Sequence, residues 1–425
     1  MRAVRVVLVL ALVVLVAGVV PTRGQQRMNL QFWYSLGGLD GQVVAEMVNK
    51  FDAEHPDIVV EGVFTGSYPD TARKVIAALA AKTAPDLGLI PAGPLWASQK
   101  GGTSILPYAR GPNGIDMRDV FEVFWEYNSY QGQVYTMPFN NSVPLMYYNK
   151  DLFKKAGLDP NRPPATWEEL VRYARALTRD VNADGRIDQW GLNMHGGKHW
   201  YFEGFLYQNG GRYITSDTSR VIFDSPAGVE ALQFWSDLVR RHKVMPPGEQ
   251  AIASRQFVTG QLGMLFRSSG GLASLLREIG GRFELGAAPL PAGPKGRAVT
   301  IGGAMLVMFE TTRERQQAAW ELIKWMTEPL NAAEWATKTG YIPIRRSAIR
   351  TARYQEFLAA NPLYRVAPEV VKDHGYAKPQ YWEIGTSDEA LQQAIEQVEF
   401  GRATPEAALR GAAAKVNAEI KRRPQ

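Results

Sequence analysis

Leu30-Gln31-Phe32-Trp33-Tyr34 is a short run of bulky apolar and aromatic residues, and Gly37-Gly38 turns it into a helix-forming stretch from about Gly41 to Glu54. Runs of this length and composition favour a strand. Ile58 to Phe64 repeats the strand signal. The turn Gly66-Ser67-Tyr68-Pro69-Asp70 then leads into an Ala-rich helix ending near Ala81, with Asp70 or a neighbour as its cap. Leu87 to Ile90 reads as a short buried strand. This β-α-β-α-β order predicts a parallel sheet with crossover helices, an α/β architecture.

The alternation continues downstream. Thr166-Trp167-Glu168-Glu169 has the spacing of a capping box and predicts a helix reaching Thr178. Further helices are expected from Pro226 to Arg241, Leu272 to Ile279, Thr312 to Met326 and Ala390 to Phe400, with strands at Gly263 to Phe266 and Ala304 to Met308. A chain of 425 residues exceeds one ordinary core. Because no repeat or low-complexity linker divides it, two lobes are expected to exchange chain segments rather than follow one another.

The N-terminus has its own pattern. Arg2 and Arg5 precede an apolar run from Val6 to Val20, which Pro21 ends, and a polar stretch from Thr22 to Arg27 follows. This is the layout of a secretory signal peptide, residues 1–24, with cleavage after Gly24. An uncleaved anchor is the alternative, for which the apolar run is short. No cysteine follows it to carry a lipid, and the chain has none elsewhere, which excludes disulfides, thiolate catalysis and cysteine metal sites. Removing the arginines at 2, 5 and 23 from a net charge of +6 leaves +3, with basic residues scattered apart from Lys421, Arg422 and Arg423. Nothing here resembles a nucleic-acid-binding stripe, so no nucleic-acid partner is expected.

Catalytic signatures are missing. No G-x-S-x-G or H-E-x-x-H occurs, and no local arrangement singles out the two carboxylates that a glycosidase needs. His195-Gly196-Gly197-Lys198-His199 carries glycines that oppose a helix placing both imidazoles on one face, so a flexible loop with exposed histidines is expected. Asp180, Asn182, Asp184 and Asp188 alternate as in the front of a calcium loop, but Gly191 stands where a closing Glu belongs. An Asx-rich turn is the plainer reading, and no cofactor is expected beyond that ion. Binding has better parts. Arg267-Ser268-Ser269-Gly270-Gly271 places free amides and two hydroxyls at a helix start, whose simpler reading is an N-cap. Ile301-Gly302-Gly303-Ala304 lets backbone approach a ligand closely, or makes a tight turn. Tyr34, Tyr68, Trp96, Trp200 and Tyr341 offer flat faces suited to sugar rings or cationic head groups, though core packing also explains such rings singly.

The segment Pro138-Phe139-Asn140-Asn141-Ser142-Val143-Pro144-Leu145-Met146-Tyr147-Tyr148-Asn149-Lys150-Asp151-Leu152-Phe153, with Pro164-Ala165-Thr166-Trp167, closely resembles the extracellular solute-binding proteins of family 1, most of all their glycerol-3-phosphate-binding branch. Ser268-Ser269-Gly270, Ile301 to Ala304, Asn331 to Trp335, Lys338 to Ile344 and Gly401 to Leu409 extend the resemblance over nearly the whole mature chain. These proteins are the binding subunits of ABC importers for sugars and glycerophosphate compounds. The resemblance implies a two-lobed periplasmic-binding-protein fold of type II, with a multi-strand hinge and a ligand enclosed as the lobes close. The lobes implied are 25–138 plus 304–344 and 139–303 plus 345–425.

The family's ligand contacts fall on Tyr68, Ser142, Ser268, Gly303 and Tyr341, and a cleft-facing tryptophan falls on Trp167. Two positions depart: Ala92 replaces a glutamate that holds glycerol hydroxyls, and Asp388 falls where an arginine pairs with phosphate. A carboxylate there repels a phosphate monoester and favours sugar hydroxyls or a choline end. The expected site is therefore Tyr68, Ser142, Trp167, Trp200, Ser268, Ser269, Gly303, Tyr341 and Asp388. The expected protein is a secreted, non-catalytic monomer in the periplasm or on the outer face of the cell membrane, delivering a sugar or glycerophosphodiester to ABC permease subunits. A secreted hydrolase and a lectin-like glycan binder are the alternatives.

Overall fold

In the strand Met28–Tyr34, Leu30, Phe32 and Tyr34 are buried in alternation, which gives it one face toward a core. It pairs in parallel with Ile58–Phe64 on one side and Leu87–Ile90 on the other, as the β-α-β-α-β reading predicts. These strands come from a computed structural model that describes residues 27–91, 101–248 and 250–422; the segment 1–24 expected to be a signal peptide, Ala92 and Trp96 lie outside the described residues. The sheet does not remain purely parallel. Met305–Phe309 returns from far along the chain to pair antiparallel with Leu87–Ile90, and Gly102–Thr103 and Met137–Pro138 pair with it in turn.

Local chemistry sets the connecting helices. Val43, Val44, Met47, Val48 and Phe51 form the buried stripe of Gly38–Glu54. Ser67, not Asp70, caps Tyr68–Ala81; its hydroxyl accepts from Asp70 N while Asp70 accepts from Ser67 N, a reciprocal capping box with Pro69 in the first turn.

A second sheet runs in the order Leu285–Pro289, Pro144–Asn149, Leu262–Ser268, Trp190–Met194. All six residues of Pro144–Asn149 are buried, as a strand covered on both faces requires. Behind this sheet, Lys198–Gln208, Pro226–Ser236, Ile384–Glu399 and Pro405–Arg422 pack as a helical layer. Its interior holds an ion pair: Lys198 Nζ lies 2.7 Å from Glu399, which also accepts from Trp235 Nε1 at 2.9 Å and Gly248 N at 3.1 Å. Both charges are buried and hydrogen-bonded, the condition under which such a pair is tolerated.

Three details differ from the sequence reading. Thr166 caps Trp167–Leu177 as expected, but Glu169 reaches back to Ala165 N instead of completing a box with Thr166. The helix at Pro226 is α-helical to Ser236 and widens into a π-turn over Asp237–Arg241. The helix expected from Ala390 begins at Ile384.

The two sheets are joined where the chain crosses between them. Residues 139–143 leave the first sheet for the second, and residues 301–304 come back. The crossings pair with each other at Ser142 and Gly302, and Ile342 N donates to Asn141 O at 3.0 Å beside them. The result is two α/β lobes on a multi-strand hinge.

Candidate functional site

Above the hinge lies a cleft of about 1740 Å³ lined from both lobes. Its floor is built by the crossing segments. Asn140 Oδ1 accepts from Ala304 N at 2.8 Å and Asn140 Nδ2 donates to the Tyr68 hydroxyl at 3.2 Å, so one carboxamide ties the returning strand to the capped helix. Tyr127 OH donates to Gly303 O at 3.1 Å. Burial pushes the Tyr68 phenol up to about 12, which keeps it protonated and able to donate.

Gly302 and Gly303 are glycines for steric reasons. Gly303 has φ +114, and a Cβ on it would lie 2.1 Å from Asn140 O. A Cβ on Gly302 would lie 2.7 Å from the Trp200 indole, which packs against this backbone. Tyr341 ends a stack of rings, lying 5.3 Å from Trp335, which lies 4.9 Å from Phe139. Asp40, at the start of the first helix, shares the Tyr341 hydroxyl; burial pushes its carboxyl up to about 6, against that hydrogen bond and the Arg267 charge.

The second lobe supplies a wall of charge. Lys378 Nζ donates to Glu203 Oε1 at 2.7 Å and to Asp388 Oδ1 at 2.5 Å, and lies 4.6 Å from the Tyr213 ring centre. Burial would lower the ammonium, yet the Asp388 and Glu203 carboxylates hold it above its ordinary range. Glu203 is fully buried, and burial pushes it up to about 7 despite Lys378. Asp388 reaches the cleft, with 26% of its side chain exposed; burial would raise it, but Lys378 and His199 hold it below the usual carboxylate range.

The cleft gathers Tyr68, Ser142, Trp200, Ser268, Gly303, Tyr341 and Asp388 of the expected residues. Ser268 also caps, its hydroxyl accepting from Gly270 N at 3.2 Å. Trp167 and Ser269 are not among the lining residues. Trp167 stacks on Phe234 at 4.3 Å and donates to Gln208 at 2.8 Å within the second lobe, and the Ser269 hydroxyl faces Val143 N at 3.3 Å and holds the crossing segment. Asp388 is not the bare charge the sequence suggested, because Lys378 sits against it. The histidine loop also differs. His199 opens the helix Lys198–Gln208 beside Asp388, and both histidines are partly buried; burial lowers His199 and brings His195 down to about 4.

Glu203, Lys378, Gln380 and Trp382 line the cleft without having been expected there. Glu203 alone had a sequence signal, a single acid inside the aromatic run Trp200 to Tyr207. The acidic loop, by contrast, is away from the cleft. Asp180 accepts from Asp184 N and Gly185 N, and Asp188 accepts from Val181 N at 2.9 Å, contacts that an Asx-rich turn explains. Among the described residues no group of three or more His, Cys, Asp or Glu is placed to hold a metal ion, and no helix is long and apolar enough to cross a membrane.

Relatives share this architecture along its length. The periplasmic sn-glycerol-3-phosphate-binding protein UgpB of Pectobacterium atrosepticum is 28% identical, with 94% of this chain and 92% of that one covered. The crystal structure of UgpB from Mycobacterium tuberculosis in complex with glycerophosphocholine superposes with a TM-score of 0.82 at 26% identity, covering 93% of this chain and 98% of that one. The cyclic alpha-maltosyl-1,6-maltose binding protein of Arthrobacter globiformis gives 0.79 at 26% identity, covering 93% and 100%. The family model of bacterial extracellular solute-binding proteins matches residues 46–363, three quarters of a chain whose two lobes frame a ring-lined cleft: the protein belongs to that family.

Proposed function

We propose that the protein captures a small hydroxyl-rich solute, a sugar or short oligosaccharide in preference to a glycerophosphodiester, and delivers it unchanged to the permease of an ABC importer. One observation carries this reading: aromatic faces, hydroxyls and hinge backbone from both lobes converge on one cleft. Tyr68 and Tyr341 on one side and Trp200 on the other are placed to cover apolar ring faces, while Ser142, Ser268 and the backbone at Gly303 supply hydrogen bonds. The moving bodies are the lobe built on the first sheet, which keeps Ser347 hydrogen-bonded to Asp119, and the lobe built on the second sheet. A solute touching both favours the closed state by the contacts that only closure makes. The protein works as a monomer in the periplasm or on the outer face of the membrane. Relatives named for glycerol 3-phosphate and for a cyclic maltosyl-maltose support a solute of this size and polarity.

Native mass spectrometry of the protein as purified, followed by calorimetry with the released molecule, tests this. An intact solute and a smaller radius of gyration in its presence are expected. Chemical turnover of the solute would favour a hydrolase. Binding to polymers without compaction would favour a lectin.

A further inference from the structure

Each Lys378 N–H in the cleft wall already has an acceptor: Glu203 Oε1, Asp388 Oδ1 and the face of the Tyr213 ring. Asp388 Oδ1 receives Tyr213 OH as well, at 3.1 Å. The wall therefore contains a cation but offers the cleft no free cationic donor. Among the described lining residues the other basic side chains are Arg73, which belongs to the opposite lobe and pairs with Asp70, and His199, whose charged form burial disfavours.

What the wall does offer is mostly acceptors. Gln380 Oε1 is buried with no partner. Glu203 Oε2 is likewise buried with no partner. Asp388 Oδ2 faces His199 Nε2 at 3.7 Å, too far for a hydrogen bond. Two donors accompany them, Trp200 Nε1 and the Thr300 hydroxyl, both buried and unpartnered. A buried polar atom without a partner is unfavourable, so a ligand that satisfies these atoms gains affinity from them. A hydroxyl both donates and accepts and fits such a set; a phosphate dianion only accepts and meets the oxygens of Gln380 and Asp388, and that of Glu203 once it ionises.

We propose that Asp388 and Glu203 mask Lys378 and so turn this wall into a subsite that receives the hydroxyls of an uncharged sugar and rejects a phosphate monoester. The inference rests on the solute-capture reading and adds the residues that set its selectivity. Removing the mask frees a Lys378 N–H, so Asp388→Asn converts an acceptor wall into one with an available cation.

Calorimetry on the mature protein with maltose, maltotriose, mannotriose, trehalose and glycerol 3-phosphate provides the test. For the unaltered protein at least one sugar binds and glycerol 3-phosphate gives no heat. In Asp388→Asn the sugar binds at least about tenfold more weakly, and glycerol 3-phosphate binding appears. A gain of phosphate binding cannot come from unfolding, and Glu203→Gln, expected to weaken sugar binding likewise, carries the test alone if Asp388→Asn does not fold. Sugar affinity unchanged in the variants, or glycerol 3-phosphate preferred by the unaltered protein, overturns the masked subsite and leaves solute capture standing. No heat from any of the five probes overturns both.

Discussion

Ser142 and Gly302 exchange both of their backbone hydrogen bonds, Ser142 N to Gly302 O at 3.0 Å and Gly302 N to Ser142 O at 2.9 Å, so the two lobe crossings form one ribbon. The ribbon closes only because Gly303 takes a positive φ against Asn140 O. Gly303→Ala should therefore cost about 2–4 kcal/mol of stability in urea unfolding, through strain and a backbone clash. A variant as stable as the parent would show that the hinge has room that the geometry denies it.

The two tryptophans separate binding from folding. Trp200 lies on the hinge backbone at the cleft, whereas Trp167 is stacked in the second lobe. Trp200→Ala is expected to weaken solute binding about tenfold or more with a small effect on melting. Trp167→Ala should leave a cavity and lose about 3–5 kcal/mol of stability. Parallel calorimetry and denaturant titration of the two proteins check the contrast.

Lys198→Met leaves the buried Glu399 carboxylate without its cation, and a loss of about 3–5 kcal/mol is expected. Changing Glu399→Leu as well should recover only part of it, because Trp235 Nε1 and Gly248 N then lose their acceptor. A double-mutant cycle measures both terms.

Glu203 makes stability depend on pH. Its folded carboxyl, held up to about 7, keeps a proton that the unfolded chain gives up near the ordinary value of 4.5. The stability it contributes is complete below that unfolded value and is lost as pH rises through about 7. Between about pH 5 and about pH 8 the melting temperature of the unaltered protein should fall relative to that of Glu203→Gln, the other facing groups being Lys378, Asp388 and Thr300. Equal slopes would mean that Glu203 is ionised throughout.

Residues whose neighbours in space are neighbours in sequence were the legible ones. The first three strands and their helices follow from alternating burial, a glycine turn and a proline after a serine cap, and Leu272–Ile279 was readable end to end. Gly385, Thr386 and Ser387 look like turn formers, yet they are helical because Ile384 and Ser387 are buried by tertiary packing that outweighs propensity. The charged wall was not legible. Lys378 follows a strand of only two residues, Gly375–Tyr376, and it meets Glu203 from far upstream and Asp388 from the next helix. No local periodicity encodes such a meeting. Asp388 alone, seen without its lysine, gave half of the electrostatic picture.

The strand Met305–Phe309 sits inside the first sheet, between Leu87–Ile90 and Gly102–Thr103. A ribosome releases Leu87–Ile90 long before Phe309, so the nascent chain carries an open sheet edge while the second sheet is still being translated. Pairings this distant close slowly, and the first lobe cannot mature ahead of the second. Completion of the first sheet therefore waits until roughly three quarters of the polypeptide has been made.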